Sequence, residues 1–219
     1  MDKVICSPDD YYGDAFSSFI KKEYLSNKHS WIYHIIEKGC MSRHEKIFID
    51  NKDWCLCADK HHGNDLRYLV VFKDEKLKTI RELEALHLNM LENVLQNVTT
   101  WLATRHTQKY YFYFHYMPSV LQLHMHVNSN TQHINYDRAH FLHNILRNLR
   151  HNSAHYGNAL ILTKYCSTLR RAEVHTKLTP KICMTIEPCK NFRDMKDRHK
   201  KEDHKKEDHA ASKHTQNSL

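Results

Sequence analysis

Apolar residues recur at spacings of three and four in three stretches of the chain, and this periodicity predicts three helical segments. The segments are residues 15–38, 82–105 and 137–150. Ser30 is expected as an N-cap that divides the first segment into two helices. Thr79 and Glu82 fit a capping box at the start of the second.

Elsewhere the pattern changes to short apolar or alternating runs, which predict six β-strands. The runs are residues 46–50, 54–58, 67–72, 110–116, 120–127 and 159–165. Adjacent strands with short connections pair antiparallel. The order β-β-β-α-β-β-α-β therefore predicts an α+β fold, in which an antiparallel sheet carries two main helices and an N-terminal helical segment precedes them.

Polar and apolar side chains alternate within residues 120–127. Successive residues of a strand point to opposite faces, so this run is expected to have one polar-rich and one apolar face. The first carries Val120, Gln122, His124 and His126, and the second carries Leu121, Leu123, Met125 and Val127. From spacing alone, His124 and His126 fit three interpretations equally: ordinary strand histidines, two ligands of a metal site that needs a third, or a nucleophile and its partner.

Composition favours an anionic partner and an intracellular location. The net charge is +8 before any of the 20 histidines is counted, which suits phosphates, nucleotides or RNA. The seven cysteines have no regular spacing, and Cys55 and Cys57 would point to opposite faces of a strand. Free thiols in the cytoplasm or nucleus are therefore expected. The N-terminus lacks an apolar signal core, and no segment has the length of a membrane span.

The chain divides into three parts by composition. Residues 1–14 are polar, contain Pro8 and Gly13, and are expected to be a flexible lead-in. Residues 15–180 hold the periodic segments and form the expected domain. Residues 190–219 contain the sequence Lys-Lys-Glu-Asp-His twice in tandem with few apolar residues, which predicts a disordered charged tail.

Several motifs carry a resemblance to a known family. The run Gln122-Leu-His-Met-His-Val127 resembles the histidine-triad motif His-φ-His-φ-His-φ-φ, in which φ is apolar. With His115-Tyr-Met-Pro-Ser119 before it, the run is similar to the active-site strand of the scavenger mRNA decapping enzymes. Residues 31–38, 79–91 and 137–149 resemble further segments of that family in order and spacing. Several ordered motifs make the resemblance specific, and it implies a histidine-triad fold.

The resemblance also implies a reaction, which needs no metal or cofactor. The family cleaves the m7GpppN left by 3′ decay of mRNA and releases 7-methyl-GMP. His124 matches its nucleophile, which forms a phosphohistidine, and His126 matches the histidine that holds phosphate oxygens or the leaving group. Gln122 stands at the first triad position, where the family has histidine, and is counted with the catalytic residues. A carboxamide forms hydrogen bonds but does not carry a proton.

The remaining matches concern substrate binding. His115 and Ser119 match positions on the phosphate side of the family's pocket. Trp31 matches a tryptophan that stacks on the positively charged 7-methylguanine, and Asp59 matches a carboxylate at the guanine edge. Lys60 or His61 takes the place of a lysine that contacts the base.

The expected function is hydrolysis of m7GpppN cap dinucleotide or short capped RNA by a cytoplasmic or nuclear homodimer. The family's N-terminal domain, which closes over the cap, is expected to be largely absent because few residues precede Trp31. One alternative is another histidine-triad hydrolase, acting on dinucleoside polyphosphates or nucleoside phosphoramidates. A second is a non-catalytic nucleotide- or cap-binding module, which Gln122 and the missing lid would favour.

Overall fold

The computed structural model describes residues 3–27, 31–38, 46–59, 66–129, 131–164, 168 and 181–182. The helices are α1 (Pro8–Tyr12), α2 (Asp14–Asn27), α3 (Trp31–Lys38), α4 (Leu88–Ala103), α5 (Leu142–His151) and α6 (His155–Asn158). The strands are β1 (Lys3–Cys6), β2 (Ile47–Asp50), β3 (Trp54–Ala58), β4 (Arg67–Phe72), β5 (Tyr111–His115), β6 (His124–Asn128), β7 (Ala139–Phe141), β8 (Ile161–Lys164) and β9 (Lys181–Ile182). The charged tail predicted at residues 190–219 and the N-cap predicted at Ser30 lie outside the described residues.

Six strands form one antiparallel sheet in the order β2-β3-β4-β6-β5-β7. The α+β fold class is therefore confirmed, and β2, β3 and β4 lie within one residue of their predicted bounds. Strand β6 is shorter than predicted, because its pairing begins only at His124 with β4 and at Met125 with β5. The last predicted strand, β8, pairs with β1 in a separate three-stranded sheet rather than joining the main one.

Helices α4 and α5 supply the core on one face of the main sheet. Their buried residues are Leu91, Val94, Val98 and Leu102 on α4, and Leu142, Ile145, Leu146 and Leu149 on α5. These side chains belong to one core cluster with sheet residues such as Val70 and Met125. The apolar periodicity is confirmed within α4 and α5, since residues that recur there at spacings of three and four pack in the core.

The two helices begin later than predicted. Thr79 and Glu82 do form a capping box, but it caps a single 3-10 turn, Ile80–Glu82, and α4 starts at Leu88. Residues 139–141 pair with β5 as strand β7, so α5 starts at Leu142 instead of residue 137. Before both α4 and α5, contacts with other parts of the chain involve the first residues of the predicted helix, which are not part of the helix itself.

The N-terminal residues differ from the expected flexible lead-in. Strand β1 pairs antiparallel with β8 and β9, and α1 follows it. Ser7 forms a capping box with Asp10, and Pro8 occupies the first helical turn. Proline is favoured there because its missing N–H needs no partner at a helix start. Pro8 therefore begins a helix within a segment that was expected to be a flexible lead-in.

A buried arginine holds this N-terminal part against the domain. The Arg81 guanidinium donates to Cys6 O at 2.6 Å, Tyr156 O at 3.1 Å, Ala159 O at 2.9 Å and the Tyr116 hydroxyl at 2.8 Å. Tyr11 donates to Glu82 Oε1 at 2.6 Å, and Thr79 donates to the Tyr11 hydroxyl at 3.1 Å. We call Tyr11, Thr79, Arg81, Glu82 and Tyr116 the arginine cluster. Its hydrogen bonds join β1, α1 and the α6–β8 connection.

None of the helices in the described parts of the chain combines the length and apolar character that crossing a membrane requires.

Candidate active site

The two triad histidines lie on the face of the main sheet opposite α4 and α5. His124 pairs with Val71 and His126 with Leu69 on β4, while Tyr113 of β5 is opposite His126. Directly paired residues of antiparallel strands point to the same side. Leu121, Leu123, Met125 and Val127 all enter the α4–α5 core cluster. The predicted sidedness of residues 120–127 is therefore confirmed, although the ladder itself covers only the second half.

Two small apolar clusters flank the histidines on this face. On one side, Ile32 and Ile35 of α3 pack with Cys55, Cys57, Leu69 and Val71. On the other side, Tyr113 packs with Ile134 and Ala139. Between the two clusters, this face of the sheet carries polar side chains, and neither cluster contributes a long helix that covers them. We call His115, His124 and His126 the histidine cluster.

His124 is held in one orientation by the main chain. Its Nδ1 lies 2.7 Å from Gln122 O, and a carbonyl oxygen only accepts, so Nδ1 carries the hydrogen. In the neutral ring the lone pair then lies on Nε2. Burial lowers the pKa of His124; the hydrogen bond to Gln122 O and the Asp59 charge partly oppose this shift, and the Arg138 charge adds to it. His124 is thus neutral near pH 7 and presents an unprotonated Nε2, as a nucleophile must.

His126 lies between two aromatic rings and a carboxylate. The Tyr113 ring stacks on it at 5.2 Å between centroids and 14° between planes, and the His115 ring lies 4.4 Å away. Asp59 Oδ2 lies 4.0 Å from His126 Nδ1. The Asp59 side chain is 6% exposed, so the charge of this carboxylate is weakly screened where it faces His126. Asp59 was predicted at the guanine edge, and the structure brings it to the histidine cluster.

His115 completes the histidine cluster as a neutral ring. Burial lowers its pKa to about 3, and Arg138 and His124 add to the shift. Its Nε2 is buried and forms no hydrogen bond with any described residue. A buried nitrogen without a partner is unfavourable unless it binds something, such as a phosphate oxygen or water.

Arg138 is a charged residue of this region to which the sequence motifs assign no role. Its Nη2 donates to Met117 O, and its charge lowers the pKa of both His115 and His124. Its Nε is buried and forms no hydrogen bond within the described part of the chain. The motif at residues 137–149 contained Arg138, but no local pattern shows that its guanidinium reaches the β5–β6 connection.

The other predicted positions are placed unequally. Gln122 is fully buried, and its carboxamide donates to main-chain oxygens at the end of β4. Ser119 lies exposed in the connection from β5 to β6. Trp31 is the first residue of α3, the helix that packs on this face, but its side chain is not among those described. Lys60 and His61 lie outside the described residues.

The metal interpretation of the two histidines requires a third ligand. Across the described ranges, no group of three or more histidine, cysteine, aspartate or glutamate side chains is arranged to hold an ion. What the geometry does provide is a neutral histidine with a free Nε2 lone pair, a second histidine beside a carboxylate, and a nearby arginine. This set suits nucleophilic attack on a phosphate.

Comparison with known proteins points the same way. A family model described as "Scavenger mRNA decapping enzyme C-term binding" matches residues 30–140. The m7GpppX diphosphatase of Bos taurus is 26% identical over 140 residues, which are 58% of this chain and 41% of that protein. The m7GpppX diphosphatase of Homo sapiens is 26% identical over 168 residues, which are 70% of this chain and 49% of that protein. The chain thus spans less than half the length of these relatives.

Proposed function

The chain belongs to the scavenger mRNA decapping enzyme family, and on that premise we propose that it hydrolyses the phosphoanhydride of m7GpppN cap dinucleotide or short capped RNA. The observation that carries the proposal is the hydrogen bond from His124 Nδ1 to Gln122 O at 2.7 Å. That bond leaves Nε2 with the lone pair that a phosphorus atom would accept.

In the proposed first step, Nε2 of His124 attacks the phosphorus next to the methylated nucleoside. The Nε2–P bond forms as the bridging P–O bond breaks, and the nucleoside diphosphate of the first transcribed nucleotide leaves. The His124 ring, now positively charged, keeps its Nδ1 hydrogen bonded to Gln122 O. Water then attacks the phosphohistidine, the Nε2–P bond breaks, and 7-methyl-GMP is released.

The charges around His124 support this reaction. His126 beside Asp59 is placed to hold a proton for the leaving oxygen. The Arg138 charge, close enough to lower the pKa of both His115 and His124, is placed to offset negative charge that develops on phosphate oxygens. His115 Nε2 and exposed Ser119 remain the proposed phosphate contacts.

Cap recognition is proposed for residues around the α3 side of the face. Trp31 would stack on the 7-methylguanine, a cation–π contact of about 1–2 kcal/mol. The position of α3 supports this, because Ile32 and Ile35 pack on the same sheet face as the histidines. Asp59, Lys60 and His61 remain the candidates for the base edge. In this proposal Asp59 also supports His126 in proton transfer. Kinetic measurements are needed to separate this role from binding of the guanine edge.

Homodimerisation and a cytoplasmic or nuclear location complete the proposal. A dimer is the usual state of the histidine-triad fold. The seven cysteines have no regular spacing along the chain, which suits a reducing compartment.

The test is phosphate-bond cleavage of m7GpppG by the full chain, with His124→Ala as the matched variant. We expect turnover by the wild type, a trapped phosphohistidine on acid-free quenching, and neither with His124→Ala. Unmethylated GpppG serves as the specificity control, since a working Trp31 site favours the methylated cap. Equal rates on both substrates would favour a general dinucleoside polyphosphate hydrolase. Binding of m7GpppG without cleavage by wild-type protein would instead support the binding-module alternative and contradict the proposal.

A further inference from the structure

Gln122 joins the end of β4 to the imidazole of His124. It is fully buried, and its Nε2 donates to Phe72 O at 2.8 Å and to Asp74 O at 2.9 Å. The main-chain oxygen of the same residue accepts the hydrogen bond from His124 Nδ1. The side chain of one residue thus anchors the very peptide unit that holds the candidate nucleophile.

The segment around Gln122 depends on such anchors because it lies outside the strand ladder. The register between β4 and β6 begins at the pair Val71 and His124. Leu121 O accepts from the Tyr33 hydroxyl at 3.2 Å, and Leu123 bonds through its main chain to Phe72 N at 3.1 Å and Leu77 O at 2.8 Å. Gln122 lies between Leu121 and Leu123, and the two hydrogen bonds of its carboxamide hold it in place in the same way.

We propose that Gln122 is a positioning residue, whose carboxamide fixes its own carbonyl oxygen so that His124 stays in the Nδ1-protonated tautomer. This inference rests on the proposed function and deepens it, since that function needs the lone pair on Nε2. The same oxygen also stabilises Nδ1–H while the ring carries the positive charge of the phosphohistidine. Gln122 therefore acts through His124 and needs no contact with substrate.

A histidine at position 122 would satisfy the oxygens at the end of β4 less completely, although the Gln122 carboxamide itself leaves Oε1 buried without a hydrogen bond to a described residue. Two carbonyl oxygens, those of Phe72 and Asp74, face the donor group. The amide nitrogen of glutamine has two hydrogens, one for each oxygen, whereas a neutral imidazole has a single N–H. Gln122→His restores the triad pattern of the family, and we expect it to lower turnover in this chain.

The first measurement is the tautomer of His124 in the full chain without substrate, by 15N NMR of histidine-labelled protein. His124→Asn assigns the signal by removing it. We expect the Nδ1–H form in wild type, and a mixture with the Nε2–H form in Gln122→Met, which keeps the length but loses both donors. An Nε2–H ring in wild type would overturn the inference, and so would an unchanged tautomer in folded Gln122→Met.

The second measurement is single-turnover cleavage of m7GpppG. Removal of a group that orients a catalytic or ligating histidine lowers rates by about 10–100-fold, and we expect this for Gln122→Met, with KM little changed. Gln122→His should lie between Gln122→Met and wild type, and it decides the matter if Gln122→Met fails to fold. A rate for Gln122→His equal to or above wild type would overturn the inference.

Tyr33→Phe is the control for a purely structural effect. It removes one hydrogen bond from the neighbouring carbonyl of Leu121 and leaves residue 122 untouched. We expect a lower melting temperature, with the His124 tautomer and the single-turnover rate unchanged. If Tyr33→Phe shifts the tautomer as much as Gln122→Met does, the role of Gln122 is only structural. If the wild-type protein cleaves no cap substrate, the proposed function is wrong. The tautomer measurement still tests whether Gln122 positions His124, because it does not depend on turnover.

Discussion

The arginine cluster and the histidine cluster are both buried and polar, but they differ in how completely their atoms are paired. Arg81 donates to four oxygens, and Glu82 accepts from Tyr11 and Thr79. In the histidine cluster, His115 Nε2 forms no hydrogen bond with a described residue, and the same holds for Nε of neighbouring Arg138.

This difference separates groups that stabilise the fold from groups that suit chemistry. A buried polar group that has its partners fixes the chain locally, and removing one partner exposes the rest to a desolvation penalty. A buried group left without a partner is unfavourable for stability and is retained where it binds a ligand or reacting atom. We therefore expect substitutions in the arginine cluster to change stability and those in the histidine cluster to change turnover.

The largest effect is expected for Arg81→Met. Three main-chain oxygens and the Tyr116 hydroxyl would lose their donors inside the core, which should lower the free energy of unfolding by about 3–5 kcal/mol. Urea denaturation measures it. Arg150→Met is the control, because Arg150 pairs with Glu92 on the surface and such exposed pairs contribute about 1 kcal/mol or less. Equal losses in the two variants would contradict the assignment.

Acid should destabilise the protein through both regions. Burial lowers the pKa of His115 to about 3 and that of His140, near Tyr116, to about 4. Above pH 6.5 these histidines are largely unprotonated in both the folded and the unfolded protein. Between pH 6.5 and 5 they become protonated in the unfolded chain but not in the folded one. Each histidine should therefore lower the free energy of unfolding by about 2 kcal/mol between pH 7.5 and 5.

His140→Gln tests this pH dependence by removing one of the two groups. The difference in unfolding free energy between pH 7.5 and pH 5 should shrink by about 2 kcal/mol. His151→Gln, at an exposed position of α5, should leave that difference unchanged. The opposite ranking of these two variants would show that His140 does not stay neutral in the fold.

Asp59→Asn should lower turnover with little change in stability. The amide has the same size but no charge, so it removes the negative charge beside His126 on which the proposed proton transfer depends, and kcat should fall about tenfold. Asp53→Asn, at an exposed turn before β3, is the control. A rise in KM for m7GpppG with kcat unchanged would place Asp59 at the guanine edge instead of with His126.

The smallest effect is expected for Tyr11→Phe, which removes the hydroxyl bonded to Glu82 at 2.6 Å. The loss should be about 1 kcal/mol, with kcat unchanged. Tyr12→Phe is a close comparison, because Tyr12 also bonds the same 3-10 turn, at Arg81 O, yet is 51% exposed. Its loss should be smaller, and both variants can be ranked in one series of denaturation curves.

Local patterns in the sequence predicted the parts of the fold that local patterns control. The alternation of residues 120–127 placed His124 and His126 on the face opposite Met125 and Val127, and the strand register agrees. The stripes of α4 and α5 were predicted for the same reason. The docking of residues 3–12 was missed because its partners, β8 and Arg81, lie some 70 to 160 residues further along the chain.

The site shows the same division. Spacing identified the two histidines but left a metal site and a nucleophile equally open, and the family resemblance favoured the nucleophile. The sequence gives no sign that Asp59 meets His126, or that Arg138 acts on His115, because both depend on how separate strands are paired. Gln122 was read as a departure from a motif, while its two bonds to the end of β4 become visible only in three dimensions.

Strand β6 is bonded on both sides, by β4 and by β5. Its amides should therefore exchange with deuterium mainly when the whole domain unfolds, as in the most protected segments of other proteins. A fluctuation that frays an edge strand would leave His124 in place. Any regulator of this protein would then have to act on access to the sheet face, for instance by displacing α3, because loosening the strand itself would require opening the entire domain.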